Sequence, residues 1–284
     1  MWFKKILVHN ILKTWFFIEV IGLGLMLGAH LLAGRYATLA AFIFMVFFNV
    51  LILFFSKPHA YHLFETTPIE GKDAWNLMRM TKKFASLAHI PTPEIYLLSH
   101  DSSLSYSFSN SSLGSAIFLS ETLVEDLTAP EVEALIAYEV ARISLGQSFL
   151  AVIASSIGYV LNLFAENFDK YVLLQFLKKS SERKAYLENL MAPLVMTLSM
   201  FLIRKSQNLA ADDLASEWLG NKQILATTLW KLDSLVATRP LKMRLSDSYL
   251  FSINPLTNQT WTRYFLLQAS VKNRILNLVG HYPI

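Results

Sequence analysis

The sequence contains no cysteine, which excludes disulfides and thiolate metal sites. Charge is scarce as well. Asp, Glu, Lys and Arg supply 16% of the residues, where an ordinary soluble domain has about a quarter. None of the seven histidines has another four residues along, so the helical His-x-x-x-His metal pair is absent. The formal charge of +4 is too small to argue for a nucleic-acid partner. What is abundant is apolar surface: 54% of the 284 residues are hydrophobic, which points to membrane segments in a chain of one or two domains.

After a short basic start (Lys4, Lys5, Lys13), the run from Thr14 to Leu32 is long enough to span a bilayer. A second run, Tyr36 to Phe55, follows directly and is closed by Lys57-Pro58. Only Arg35 lies between them, and basic residues flank both outer ends, so the expectation is a transmembrane hairpin with both ends in the cytoplasm. Gly24 and Gly28 make a Gly-x-x-x-Gly face that either admits another helix or reflects ordinary glycine tolerance. Glu19 is read as a headgroup-level carboxylate rather than a functional intramembrane one.

From His59 the composition becomes that of a soluble domain. Apolar positions at Trp75, Leu77, Met78, Met80, Phe84 and Leu87 predict a helix over 70–87. Short strands are expected at 94–98 and 116–119, with a helix over 120–127. Leu104, Tyr106 and Phe108 alternate with serines, as on a strand; the pattern suits an edge that captures an extended peptide, and equally a core strand with its serines outward. Two further hydrophobic runs, 148–164 and 190–203, flank a mixed-charge segment whose lysines and arginines run against the positive-inside bias. Helices are expected over 207–219, 221–238 and 271–279, the last with Lys272 and Arg274 on its polar side.

Pro130 and Glu131 open a helix that carries Tyr138, Glu139 and Arg142. A zinc protease helix has His, Glu and His at this spacing, which puts both imidazoles on one face beside the carboxylate that activates the metal-bound water. Here the glutamate is present and both ligand positions are substituted.

Ile90-Pro-Thr-Pro93, Asp101 to Ser109, Glu131 to Ala137, Gly146, Ala211-Asp212, Asn254-Pro255 and Arg274-Ile275 occur in the order found in HtpX-type membrane metalloproteases, relatives of the CAAX-prenyl endoproteases. The chain resembles that family over nearly its whole length. The resemblance implies a mainly α fold with a small β-sheet: an α+β zincin-like domain in a polytopic membrane protein, with an N-terminal hairpin and two further hydrophobic helices. It implies domains at 1–56 (hairpin), 57–146 and 204–284 (zincin-like halves) and 147–203 (helical insertion). It also places the family's zinc ligands at Tyr138, Arg142 and Asn208, a later His at Gln268, and a supporting carboxylate at Asp212.

Arg cannot coordinate a metal, neutral Asn is a poor ligand and Tyr a rare one, so no metal or other cofactor is expected. Arg142 is expected to neutralise Glu139, and Asp212 with it, in place of the metal; the alternative leaves both as hydrated surface residues. The function expected is that of a catalytically inactive homologue, a pseudoprotease at the cytoplasmic face of a bacterial inner membrane. It would bind protein or peptide partners through Leu104, Tyr106 and Phe108. Two alternatives stand beside it: a metal-independent hydrolase around Glu139, or a quality-control endopeptidase as in the family. The bilayer is the one definite partner, and homo-oligomerisation is left open.

Overall fold

The computed structural model describes residues 2–69, 73, 75–110, 114–172, 199, 202–239, 241, 243–256 and 268–282. Helix α1, Trp2–Tyr61, loses helical geometry at Gly34 (φ 72°, ψ −162°), a backbone conformation that an L side chain rarely adopts. Its two halves meet: His30 Nδ1 lies 3.1 Å from Thr38 Oγ1. The close approach is at Gly22, where an added Cβ would stand 1.7 Å from Met45 Sδ. At Gly24 and Gly28 an added Cβ would meet nothing within 4 Å among the described residues, which fits ordinary glycine tolerance rather than a close helix contact there.

A four-stranded sheet follows, formed by β1 (Thr66–Pro68), β2 (Glu94–Leu98), β3 (Ser105–Asn110) and β4 (Gly114–Ser120) in the order β1-β2-β4-β3. Only the β2–β4 pair is parallel, because the chain reverses twice between them, from β2 to β3 and again in the β3–β4 hairpin; α2 (Leu77–Ala88) precedes β2. The expected start of α2 at 70 is corrected. Asp73 caps the helix by accepting the N–H groups of Leu77 (2.7 Å) and Met78 (2.8 Å), so the turn begins after it.

Sheet alternation builds two cores. Ile117 and Leu119 face one side, where α2, α4 (Ala129–Ser144), α6 (Lys205–Leu219), α7 (Lys222–Thr238) and α9 (Val271–Val279) pack. Ala116 and Phe118 face the other, with Leu104, Tyr106 and Phe108. The Tyr106 and Phe118 rings stack 4.5 Å apart, and the Tyr106 hydroxyl donates to the Ala60 carbonyl at 2.9 Å, tying the sheet to the end of α1. These three strand side chains are therefore core residues. The expectation that they face a bound peptide is corrected, because each is almost wholly buried. Their intervening serines do not point outward either: Ser105 and Ser107 are buried toward α4.

Short α3 (Glu121–Asp126) precedes α4, whose Glu131 carboxylate accepts the Thr128 N–H at 2.8 Å. Gly146 (φ 72°) makes the left-handed turn into α5, Gln147–Val172. Helix α5 runs antiparallel to the second half of α1, with Phe164 beside Phe44 and Tyr159 beside Phe55 and His59. Two described stretches, Ile18–Tyr61 and Gln147–Phe168, are long and apolar enough to cross a membrane. The apolar stretch of the second is mostly buried inside the protein. Most of the fourth hydrophobic run, and the mixed-charge segment before it beyond Val172, lie outside the described residues. One turn of helix, α8 (Leu245–Ser248), leads into residues 249–252, which cross the site described next.

Candidate functional site

Tyr138 and Glu139 are fully buried on α4, and Arg142, one turn later, is 2% exposed. A carboxylate in such a place is costly unless every lone pair is matched. Glu139 meets that condition. Ser107 donates to Oε2 at 2.6 Å, Ser252 donates to Oε1, and Arg142 Nη1 donates at 3.1 Å. Ser148 Oγ lies 2.6 Å from Ser107 Oγ and extends the chain of hydroxyls. Glu139 and Arg142 thus form the expected buried pair (i, i+3) and not the hydrated surface pair.

Asp212 departs from expectation. Its partner is Arg274, not Arg142, through a bidentate pair of 2.8 Å (Nε to Oδ2) and 2.6 Å (Nη2 to Oδ1). Arg274 does not lie on a polar face of its helix, as expected; it is the largest fully buried side chain described. Burial alone would lower its pKa, but the Asp212 carboxylate reverses that and holds the guanidinium above its ordinary value. Burial pushes the Asp212 carboxyl up, and Arg274 works against the rise. Two acids and two guanidiniums make the cluster electrically neutral.

Between the guanidiniums lies the Tyr138 ring, 4.5 Å from the carbon of Arg274 and 5.9 Å from that of Arg142. Its hydroxyl accepts from Asn208 Nδ2 at 3.2 Å, and Asn208 Oδ1 accepts the Ala269 N–H at 3.3 Å. Burial raises the Tyr138 phenol despite the two cations, so it is a neutral phenol at pH 7.

Four consecutive carbonyls of the 249–252 strap are each taken by a side chain of this cluster. Gln268 donates to Tyr249 (3.2 Å) and Phe251 (3.0 Å), Arg142 to Leu250 (2.9 Å) and Arg274 to Ser252 (2.8 Å). The strap also meets the outer edge of β3: Phe251 bridges Tyr106, and the Ser252 N–H donates to the Ser105 carbonyl at 3.0 Å. That is the edge a peptide strand would need.

The residues singled out in sequence, Tyr138, Glu139, Arg142, Asn208, Asp212 and Gln268, thus converge on one site, whereas Leu104, Tyr106 and Phe108 lie on the other face of the sheet. Sequence reasoning missed Ser107, Ser252, Arg274 and the strap. Ser105 and Ser107 had a signal: they sit opposite Leu119 and Ile117, residues of the α4-facing side.

The donor set does not suit a zinc ion. A neutral phenol, a guanidinium and an amide stand at the three ligand positions implied by the resemblance, and each is engaged by protein. A fixed cation at Arg142 also repels a second one. Among the described residues no group of three His, Asp or Glu is placed to hold a metal.

Residues 72–259 match the model of peptidase family M48. A protease HtpX homolog of Pelotomaculum thermopropionicum is 22% identical over 276 residues, covering 95% of this chain and 98% of that protein. A second HtpX homolog, from Pyrococcus furiosus, is 25% identical over 274 residues and covers 90% of each chain. The crystal structure of S. mikatae Ste24p has the same fold by TM-score 0.50, at 17% identity, over 97% of this chain and 67% of that one. The matched model spans strands β2 to β4, α4 and the strap, and the chain belongs to peptidase family M48 as an HtpX-type member.

Proposed function

We propose that this chain is a pseudoprotease: an M48 member anchored in the membrane that acts by binding other proteins rather than by cutting them. The observation that carries the reading is Arg142. Its guanidinium binds Glu139, the residue that would activate a metal-bound water, and also the Leu250 carbonyl of the strap across the site. Residues 1–56 would form the transmembrane hairpin. Residues 57–146 and 204–284 would form the zincin-like domain, with 147–203 inserted as hydrophobic helices. That domain would face the cytoplasm from a bacterial inner membrane, a reading that the basic flanks of the hairpin support. The partner surface lies elsewhere than on Leu104, Tyr106 and Phe108, whose burial removes them from contact.

A metal-independent hydrolase is the weaker reading. Two serine hydroxyls do touch Glu139, but Ser107, Ser252 and Glu139 are all buried and the strap closes over them, so a substrate has no approach.

The test is elemental analysis of the purified full chain after zinc loading, together with an assay for cleavage of an unfolded protein. The expected result is no stoichiometric zinc and no cleavage. The variant Tyr138→His/Arg142→His/Asn208→Glu, which restores the ligand set, is expected to take up one zinc per chain. Stoichiometric zinc or zinc-dependent cleavage in the unaltered protein overturns the proposal.

A further inference from the structure

A second buried polar cluster borders a cavity of about 430 Å³ at the end of α1. His59 Nε2 lies 3.0 Å from Asp247 Oδ1 and 2.9 Å from Ser155 Oγ, and Ser155 donates to the same Asp247 oxygen at 2.6 Å. Ser, His and Asp together suggest a hydrolytic triad, but the arrangement is wrong for one. Serine and aspartate converge on a single ring nitrogen instead of flanking the imidazole, and Ser155 is fully buried.

What the cavity offers is binding. Its volume is in the range of ligand pockets, and Phe55, Phe64, Leu241 and Met243 supply an apolar wall. At its rim Arg244 spends one N–H on Glu166. Its guanidinium carbon lies 5.9 Å from the centre of the Tyr159 ring, and among the described residues its other N–H groups and the exposed ring of His62 make no hydrogen bond. Asp247 is turned into the cluster, where His59, Ser155 and Ser246 all engage one of its carboxylate oxygens. Phe55 and Tyr159 belong to the two apolar helices, His62 follows directly on the first, and the Arg244 guanidinium reaches Glu166 near the end of the second, so the cavity sets cationic donors beside apolar helix surface.

We propose that this cavity holds the phosphodiester headgroup of a membrane glycerophospholipid. Arg244 and His62 donate to the phosphate, and the acyl chains lie along Phe55 and the apolar surface of α1. The planar donor fork of an arginine matches phosphate oxygens, and Glu166 takes one N–H of this one. The inference rests on the membrane-spanning reading given above.

The test uses the full chain in nanodiscs containing phosphatidylglycerol, released into the gas phase and weighed by native mass spectrometry. The unaltered protein is expected to keep one phospholipid, and Arg244→Gln to lose occupancy about tenfold. Met243→Trp fills the cavity without touching the Arg244–Glu166 pair, and is expected to lose occupancy as well. It keeps the test decisive where Arg244→Gln impairs folding. Equal retention by all three proteins overturns the proposal. Titration with short-chain phosphatidylglycerol and with inorganic phosphate separates the sources: lipid binding without phosphate binding supports the headgroup site, and equal binding of both overturns it. Extraction of the chain from membranes by alkaline carbonate overturns the membrane reading and this proposal together, whereas a chain that stays in the membrane and keeps no lipid overturns this proposal alone.

Discussion

The Glu139–Arg142 cluster and the His59–Asp247 cluster each bury a carboxylate against a basic side chain and serine hydroxyls, yet one is closed and the other borders a cavity. In the first, α4, β3, α6, α9 and the strap surround the charges, and Ser252 joins the two ion pairs by donating to Glu139 and accepting from Arg274. In the second, His59, Ser155, Ser246 and Asp247 are enclosed, and Arg244 at the cavity rim keeps unused donors. A sealed, charge-neutral cluster has no capacity left for a ligand and serves to hold segments together. An unsealed one with spare donors can recognise something. The two clusters are linked in sequence: α8 carries Asp247, and the strap that Arg142 and Arg274 hold begins immediately after it.

The comparison is broken most severely at Arg274. Replacing Arg274 with Met leaves Asp212 buried and unpaired and frees the Ser252 carbonyl, so a loss of about 3–5 kcal/mol is expected in denaturant unfolding of the detergent-solubilised protein. Asp212→Asn combined with Arg274→Met is expected to cost less than Arg274→Met alone, because no charge is then orphaned. A double variant at least as unstable as the single one would show that packing, not charge, dominates there. Arg142→Met comes next, at about 3 kcal/mol, because Ser107 and Ser252 still serve Glu139.

His59→Ala is expected to cost less than either, about 1–2 kcal/mol, because water in the adjoining cavity can reach Asp247 when the ring is gone. This is the prediction that separates the clusters. A His59→Ala loss as large as that of Arg274→Met would mean the second cluster is as sealed as the first.

The contrast also explains what could be read in sequence. Helices with a one-sided apolar pattern, such as α7 and α9, were legible to within a residue or two, because periodicity reports directly which face is buried. The convergence of Tyr138, Glu139, Arg142, Asn208, Asp212 and Gln268 was legible from the family's motif order. Arg274 was not, since a charged residue on an amphipathic helix is ordinarily exposed, and only the bidentate contact with Asp212 reverses that expectation. The strap was invisible for a different reason. Its role lies in four backbone carbonyls, and carbonyls are the same whatever the side chains. His59, Ser155 and Asp247 are far apart in the chain and fit no local pattern.

The smallest effect is expected at the surface, at the start of the helix that carries the site. Glu131 accepts the Thr128 N–H at 2.8 Å and the Lys231 ammonium at 2.9 Å. Burial pushes its carboxyl up, but Lys231 and the Thr128 N–H outweigh that and hold it below the ordinary carboxylate range. An acid whose pKa is depressed on folding adds stability above its unfolded pKa and loses it as the pH falls through the folded value. Glu131→Gln should therefore cost about 0.5–1 kcal/mol at neutral pH, as for other partly exposed caps and ion pairs. The gap between the two proteins should close on acidification below the ordinary carboxylate range. Unfolding curves at neutral and acid pH check both the size and the sign. A gap that stays constant with pH would assign the effect to helix packing, and would leave charge pairing important only where α4 is buried.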